Sequence, residues 1–346
     1  MNAESNIHCY TQGPLAFCVL GRPKQLNALT IAMNESMKYF LLKWKDDPSI
    51  QAVILSSSSP KAFCAGGDIK LAYTLGQQNP EEALSFFDIE YGINLLIATY
   101  PKPIIAYCQG ITMGGGCGIG FHVSHAIAGD QIQLAMPETK IGLFPDIGAS
   151  YELPRLKHHV GYYLGLTGNS IDQVNVMYCG LMRYGMDDAA FQQVLNDLTK
   201  VEWTENSFFD VDRVLSPYLK KPDMSCELAR LEPWIEALFS APSLKGLLHS
   251  SVGHSQAESD WRKMTIETLK LRSPKSLAMT FEAFKRGEQM TLEQVLKQDL
   301  KLAKICLTSQ DFYRGVKACL IDRCEPKWER DSIEDYSDDV ISQWFI

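Results

Sequence analysis

The chain has 346 residues, 46% of them hydrophobic, enough to bury a large core and to form one big domain with a smaller one. Its 33 Lys and Arg against 41 Asp and Glu give a formal net charge of −8, and no long basic run is present, which argues against a nucleic-acid surface. No stretch reaches the roughly 18 to 20 apolar residues of a membrane span. Ten cysteines without CxxC pairs read as reduced thiols rather than a disulfide frame.

In chain order, the polar start "MNAESNIHCY" lacks both an apolar signal core and the Arg-rich pattern of a transit peptide, so a cytoplasmic location is expected. "LAFCVLG" (15–21), "QAVILSSS" (51–58) and "KPIIAYCQG" (102–110) read as strands. Between the first two, Leu29, Met33, Met37, Phe40, Leu41 and Trp44 recur on one helical face. "AIAGDQIQLAMPE" reads as two strands turning at Gly129 and Asp130. This alternation predicts an α/β fold of crossover units over residues 1–205. From Pro233 onward the apolar spacing is mostly helical, so residues 206–346 are expected to form a helical region packed on that core. Pro274 marks a helix start with Ser273 as its N-cap.

Two glycine-rich stretches stand out. "GITMGGGCGIG" (110–120) follows a strand and opens a helix, a design that clusters free backbone N–H groups. It fits neither the GxGxxG dinucleotide fingerprint nor the phosphate loop, and the alternative is close packing through small residues. "FCAGGDIK" (63–70) also ends a strand, and two such loops at one sheet edge can aim N–H donors at one carbonyl oxygen. In "MPETKIGLFPDIGASYELPRL" (136–156), Glu138 and Asp146 are either surface carboxylates near helix starts or paired catalytic acids. "GHSQA" (253–257) imitates a nucleophile elbow but has no strand before it. His122 and His125 lack a third metal ligand nearby, so no metal site is expected, and "KHHV" (157–160) reads as a solvated turn.

The ordered runs "GRPKQLNALT", "KAFCAGGDIK", "GITMGGGCGIG" and "AMPETKIGLFPDIG" resemble the crotonase, or enoyl-CoA hydratase/isomerase, superfamily. "LAMPETKIGLFPD", "LPRL", "RSPKSLAMT", "DFYRGVKACLID" and "PKW" are most similar to its 3-hydroxyisobutyryl-CoA hydrolase branch, over nearly the whole chain. The resemblance implies a spiral of β-β-α units and an oxyanion hole from the amides of Gly67 and Gly115. It implies Glu138 and Asp146 as catalytic acids, and substrate binding by Glu90, Gly115, Glu138 and Asp146. Lys24 and Lys70 lie in the loops that would meet the phosphates of CoA; the alternative is that they are solvated surface lysines. Hydratases of the superfamily carry a catalytic glutamate where this chain has Gly118, which argues against two-carboxylate water addition. The expected substrate is a short 3-hydroxyacyl-CoA, with CoA part of the substrate and no separate cofactor. A hydratase or isomerase, or a silent CoA-binding protein, are the alternatives. A homo-oligomer is compatible with the superfamily.

Overall fold

The computed structural model describes residues 6–346; the first five residues of the polar N-terminal segment lie outside the described residues. The described residues form two compact units, each assembled from three stretches: residues 6–68, Gly92–Leu134 and Ile171–Cys226 in the first, and Ile69–Tyr91, Ala135–Ser170 and Glu227–Ile346 in the second.

In the first unit, β1 (Ile7–Gln12) and β2 (Leu15–Leu20) form an antiparallel hairpin. Parallel strands β3 (Ala52–Ser57), β5 (Ile104–Cys108), β7 (His125–Gly129) and β9 (Tyr184–Met186) continue the sheet from β2 in that order. A smaller sheet holds β4 (Ala62–Cys64), β6 (Ile111–Met113) and β8 (Gln133–Ala135). Alternate residues of the large sheet, Leu15, Phe17, Ala52, Ile54, Ile105, Tyr107 and Ile127, face one core. The helices Asp188–Leu198 and Ser207–Leu215 bring Phe191, Val194, Leu198, Val211 and Leu215 to that core. Each such side chain contributes on the order of 2 kcal/mol on burial.

The predicted helical face appears as the helix Ile31–Lys45, capped by Thr30, with Met33, Met37, Leu41 and Trp44 buried and Phe40 half-buried. The two strands expected around Gly129 and Asp130 exist as β7 and β8, but they belong to different sheets and form no hairpin. A second difference lies at Gly110, expected to lead straight into a glycine loop and helix. Its φ of +70° turns the chain, and β6 intervenes before the helix begins.

The second unit is largely helical. Ser243, Ser255, Ser273, Thr291 and Ser309 each accept a backbone N–H at the start of a helix. Ser273 caps Pro274–Gly287, as its position before the proline predicts. Tyr162 meets Phe284 edge-on at 5.4 Å, and Tyr163 meets Phe239 in the same manner at 5.7 Å. Ser273 also donates to Asp311 at 2.6 Å in the interior, which joins the "RSPKSLAMT" and "DFYRGVKACLID" segments. Among the described residues no helix is long and apolar enough to cross a membrane.

Candidate active site

In the first unit the "GRPKQLNALT" segment acts as a brace for the loop carrying Gly67. Asn27, fully buried, donates through Nδ2 to Ser57 Oγ at 2.7 Å and to the carbonyls of Ala62 and Phe63 at 3.0 Å. Arg22 donates to the carbonyl of Ala28 at 3.0 Å and pairs with Asp68 at 2.8 Å. The Leu29 N–H donates to the Gly66 carbonyl, the Asp68 N–H to the Leu29 carbonyl, and the Ala65 N–H to the Leu26 carbonyl. Leu29 thus uses the groups on either side of Gly67 in a parallel bridge. Backbone groups alternate in direction along an extended chain, so the N–H of Gly67 itself points to the opposite edge.

The second glycine loop lies against that loop. β4 and β6 pair in parallel, Ala62 with Ile111 and Cys64 with Thr112. Gly66, at φ +110°, comes so close that a Cβ built on it would lie 3.5 Å from the Gly115 nitrogen and 3.2 Å from the Met113 carbonyl oxygen. Gly114 adopts φ +48° and ψ −123°, a conformation closed to residues with a Cβ, and the helix Gly115–Phe121 starts after it. The Cys117 and Gly118 amides donate back to the Gly114 carbonyl, so the amides of Gly115 and Gly116 precede the first intrahelical bonds. Close packing also accounts for part of the glycine run: a Cβ on Gly116 would stand 2.1 Å from the Cys64 carbonyl oxygen.

The second unit brings Glu90, Glu138 and Asp146 into one buried acidic cluster. Glu90 comes from the helix Pro80–Ala98, Glu138 opens the short helix Glu138–Ile141, and Asp146 follows in a loop. All three are at most 5% exposed. Burial first, and then the charge of Asp146, push the Glu90 carboxyl up to about 8. The same two causes, with the charge of Glu90 added, raise Glu138 well above the usual carboxylate range. Burial also raises Asp146, to about 6, while a hydrogen bond from the Tyr91 hydroxyl at 2.6 Å and a backbone donor hold it down. One oxygen of Glu90 and one of Glu138 have no hydrogen-bond partner.

Two members of this cluster were not foreseen from the sequence. Tyr91 is one; Asp299, fully buried in the helix Leu292–Leu307, is the other. Asp299 accepts from the Gly148 N–H at 2.9 Å, and burial followed by the charge of Asp146 pushes its carboxyl well up. That bond pins the loop behind Asp146, where Ile147 sits at φ +53° and Gly148 at φ +84°. A β-branched residue is rare in the left-handed region, so the loop is held against its local preference. The readable signal was an acid at a core position, spaced with Val295, Leu296, Leu302 and Ala303.

Other candidates fall elsewhere. Lys24 is exposed in the short helix Pro23–Gln25, and Lys70 is exposed near the start of Ile69–Gln78. His125 is buried against Ser124, and burial lowers it to about 4. Among the described residues no group of three His, Cys, Asp or Glu could hold a metal ion. Ser255 of "GHSQA" is a helix N-cap, which explains that motif without chemistry. His158 and His159 face Glu232 and Glu236 in half-exposed pairs. All ten cysteines are free thiols.

Comparison with known proteins supplies the lineage. The model of a family described as enoyl-CoA hydratase/isomerase matches residues 15–345. The chain belongs to the enoyl-CoA hydratase/isomerase family. It is 37% identical over 331 residues to the mitochondrial 3-hydroxyisobutyryl-CoA hydrolase of Xenopus tropicalis, covering 94% of this chain and 85% of the relative. It is 33% identical over 353 residues to 3-hydroxyisobutyryl-CoA hydrolase 1 of Arabidopsis thaliana, covering 100% and 92%. Among solved structures, a carnitinyl-CoA dehydratase from Mycobacterium thermoresistibile superposes with TM-score 0.90 at 27% identity, over 99% of this chain and 97% of that one. An enoyl-CoA hydratase from Rhodobacter sphaeroides gives 0.87 at 28% identity, over 99% and 97%. The family member therefore has the crotonase fold, as the resemblance implied.

Proposed function

We propose that this enoyl-CoA hydratase/isomerase family member hydrolyses a short 3-hydroxyacyl-CoA thioester, with 3-hydroxyisobutyryl-CoA as substrate and 3-hydroxyisobutyrate and CoA as products, a step of valine degradation. The observation that carries the reading is near full-length similarity to relatives named for that hydrolysis. In this mechanism the amides of Gly67 and Gly115 take the thioester carbonyl oxygen as negative charge develops on it. Glu138 either attacks the carbonyl carbon to give a transient mixed anhydride or removes a proton from the attacking water. In the base route a C–O bond to water oxygen replaces the C–S bond; in the anhydride route a C–O bond to Glu138 replaces it first, and water then cleaves the anhydride and frees the Glu138 carboxylate. In both, CoA leaves as a thiolate that takes up a proton. The unpartnered oxygen of Glu138 supports its assignment, because a buried acid with a vacant acceptor is equipped to meet a substrate or water. Asp146 and Glu90 bind the acyl hydroxyl, and Lys24 and Lys70 meet the phosphates of CoA.

Catalysis of hydration is the second reading, favoured by solved neighbours titled a dehydratase and a hydratase. Against it, the position expected to hold a second acid is Gly118, which offers no side chain. The deciding experiment is a thiol-release assay on 3-hydroxyisobutyryl-CoA, run beside an absorbance assay on an enoyl-CoA. Free CoA from the first and no change in the second supports hydrolysis; the reverse supports hydration. Tight CoA binding without either reaction makes the chain a binding protein. A cytoplasmic location and self-association are also proposed, to be read by fractionation and by light scattering; the Xenopus relative is named mitochondrial.

A further inference from the structure

Among the described residues, Asn34 and Asn94 each bury a carboxamide in which neither Oδ1 nor Nδ2 has a hydrogen-bond partner. Such groups are rare in native interiors because they forgo the hydrogen bonds that water gave them. Asn94 is set apart by what its head faces. It lies in the helix Pro80–Ala98, and a Cβ built on Gly118 would stand 2.8 Å from its Oδ1 and 2.9 Å from its Nδ2. Glycine at 118 therefore leaves the carboxamide its place. Gly118 is three residues after Gly115 in the same short helix, so it lies on the same side, close to one turn away.

A purely structural asparagine spends its amide on the protein, as Asn27 does on Ser57, Ala62 and Phe63. Asn94 spends nothing, although an aliphatic side chain of similar size would fill the same space without loss. The vacant Nδ2 donor suits a hydroxyl, which accepts through its oxygen while its own proton goes to a carboxylate. We infer that Asn94 is a specificity-determining residue whose carboxamide hydrogen-bonds the hydroxyl of the acyl chain. The inference rests on the thioester-hydrolase reading above and adds a residue that the sequence did not single out.

The test compares the wild type with Asn94→Leu and Asn94→Ala. It measures kcat/KM on 3-hydroxyisobutyryl-CoA and on isobutyryl-CoA, with Tm for each protein. For both variants the hydroxylated substrate should lose about 10-fold in kcat/KM, the loss of one hydrogen bond to the ligand. Isobutyryl-CoA should be turned over as before, so the preference for the hydroxyl narrows by the same factor. Tm of Asn94→Leu should equal or exceed that of the wild type, since no protein hydrogen bond is removed. An unchanged preference overturns the inference, and so does an equal loss on both substrates, which is what a residue holding water would give. Failure of both variants to fold, or a lowered Tm in Asn94→Leu, overturns it too, by making the residue structural. A wild type that releases CoA from neither substrate defeats the hydrolase reading instead. A wild type and variant with the same preference defeat only the role of Asn94.

Discussion

Replacing Glu90 with glutamine should change how stability depends on pH. Burial and the neighbouring Asp146 charge move the Glu90 carboxyl from its ordinary 4.5 to about 8. A carboxyl raised in this way is protonated in the folded protein and ionises on unfolding. Its contribution is fully present below about pH 4.5 and is lost as pH rises toward about 8. Every tenfold gain in proton affinity on folding is worth about 1.4 kcal/mol, so the full span is on the order of 5 kcal/mol, of which about 2 to 3 kcal/mol falls between pH 5 and 7. Glutamine keeps the shape and has no proton to lose. Urea unfolding of both proteins across that interval should therefore show Glu90→Gln gaining on the wild type by about 2 kcal/mol as pH rises. In an Asp146→Asn background the gain should shrink, because the second cause of the raised affinity is gone. Parallel stability curves for wild type and Glu90→Gln would refute the reasoning.

Three further outcomes are expected. Glu138→Ala should lower CoA release by about 10³-fold, the scale of a lost general base, while calorimetry still registers acyl-CoA binding; near-normal release removes Glu138 from the chemistry. Tyr91→Phe deletes the hydrogen bond that holds the Asp146 carboxyl down, so Asp146 rises above about 6 and the acidic limb of kcat/KM moves to higher pH. A limb that stays in place excludes ionised Asp146 from the rate. Gly116→Ala drives a methyl group into the Cys64 carbonyl, 2.1 Å away, and should destabilise the protein by about 3 kcal/mol in urea; an unchanged midpoint contradicts the tight contact of strand and helix.

Much of the fold was legible because local chemistry decided it. The apolar runs that became β2, β3 and β5 are bounded by turn residues, and Ser273 before Pro274 carries its own capping logic. Glu138, Asp146 and the two glycine loops were legible as motifs, although their environment was not. The three-residue strand β6 is too short for periodicity to reveal, and the assignment of β7 and β8 to different sheets depends on distant partners. Nothing local tells residues 69–91 and 135–170 to join 227–346 in one unit. Asp299 and Asn94 show a partial exception. Each is a polar residue on a buried helical stripe, Asn94 in step with Phe86, Phe87 and Ile97, and that breach of pattern can be read. What it does there depends on atoms contributed from far along the chain.

The acids of the second unit explain how the breach at Asp299 is tolerated. Glu90, Glu138, Asp146 and Asp299 are all buried, and none forms an ion pair among the described residues. Four unpaired charges in such a place would cost far more than a folded domain can spare, and burial accordingly raises all four carboxyls. Ionisation is then ordered by hydrogen bonding. Asp146 has the Tyr91 hydroxyl and a backbone donor and loses its proton first, at about 6. Its charge is the leading electrostatic cause that raises Glu90, Glu138 and Asp299. A cluster arranged this way pairs one anionic carboxylate with neighbours of raised basicity, and raised basicity is what a carboxylate needs to take a proton from water near neutral pH.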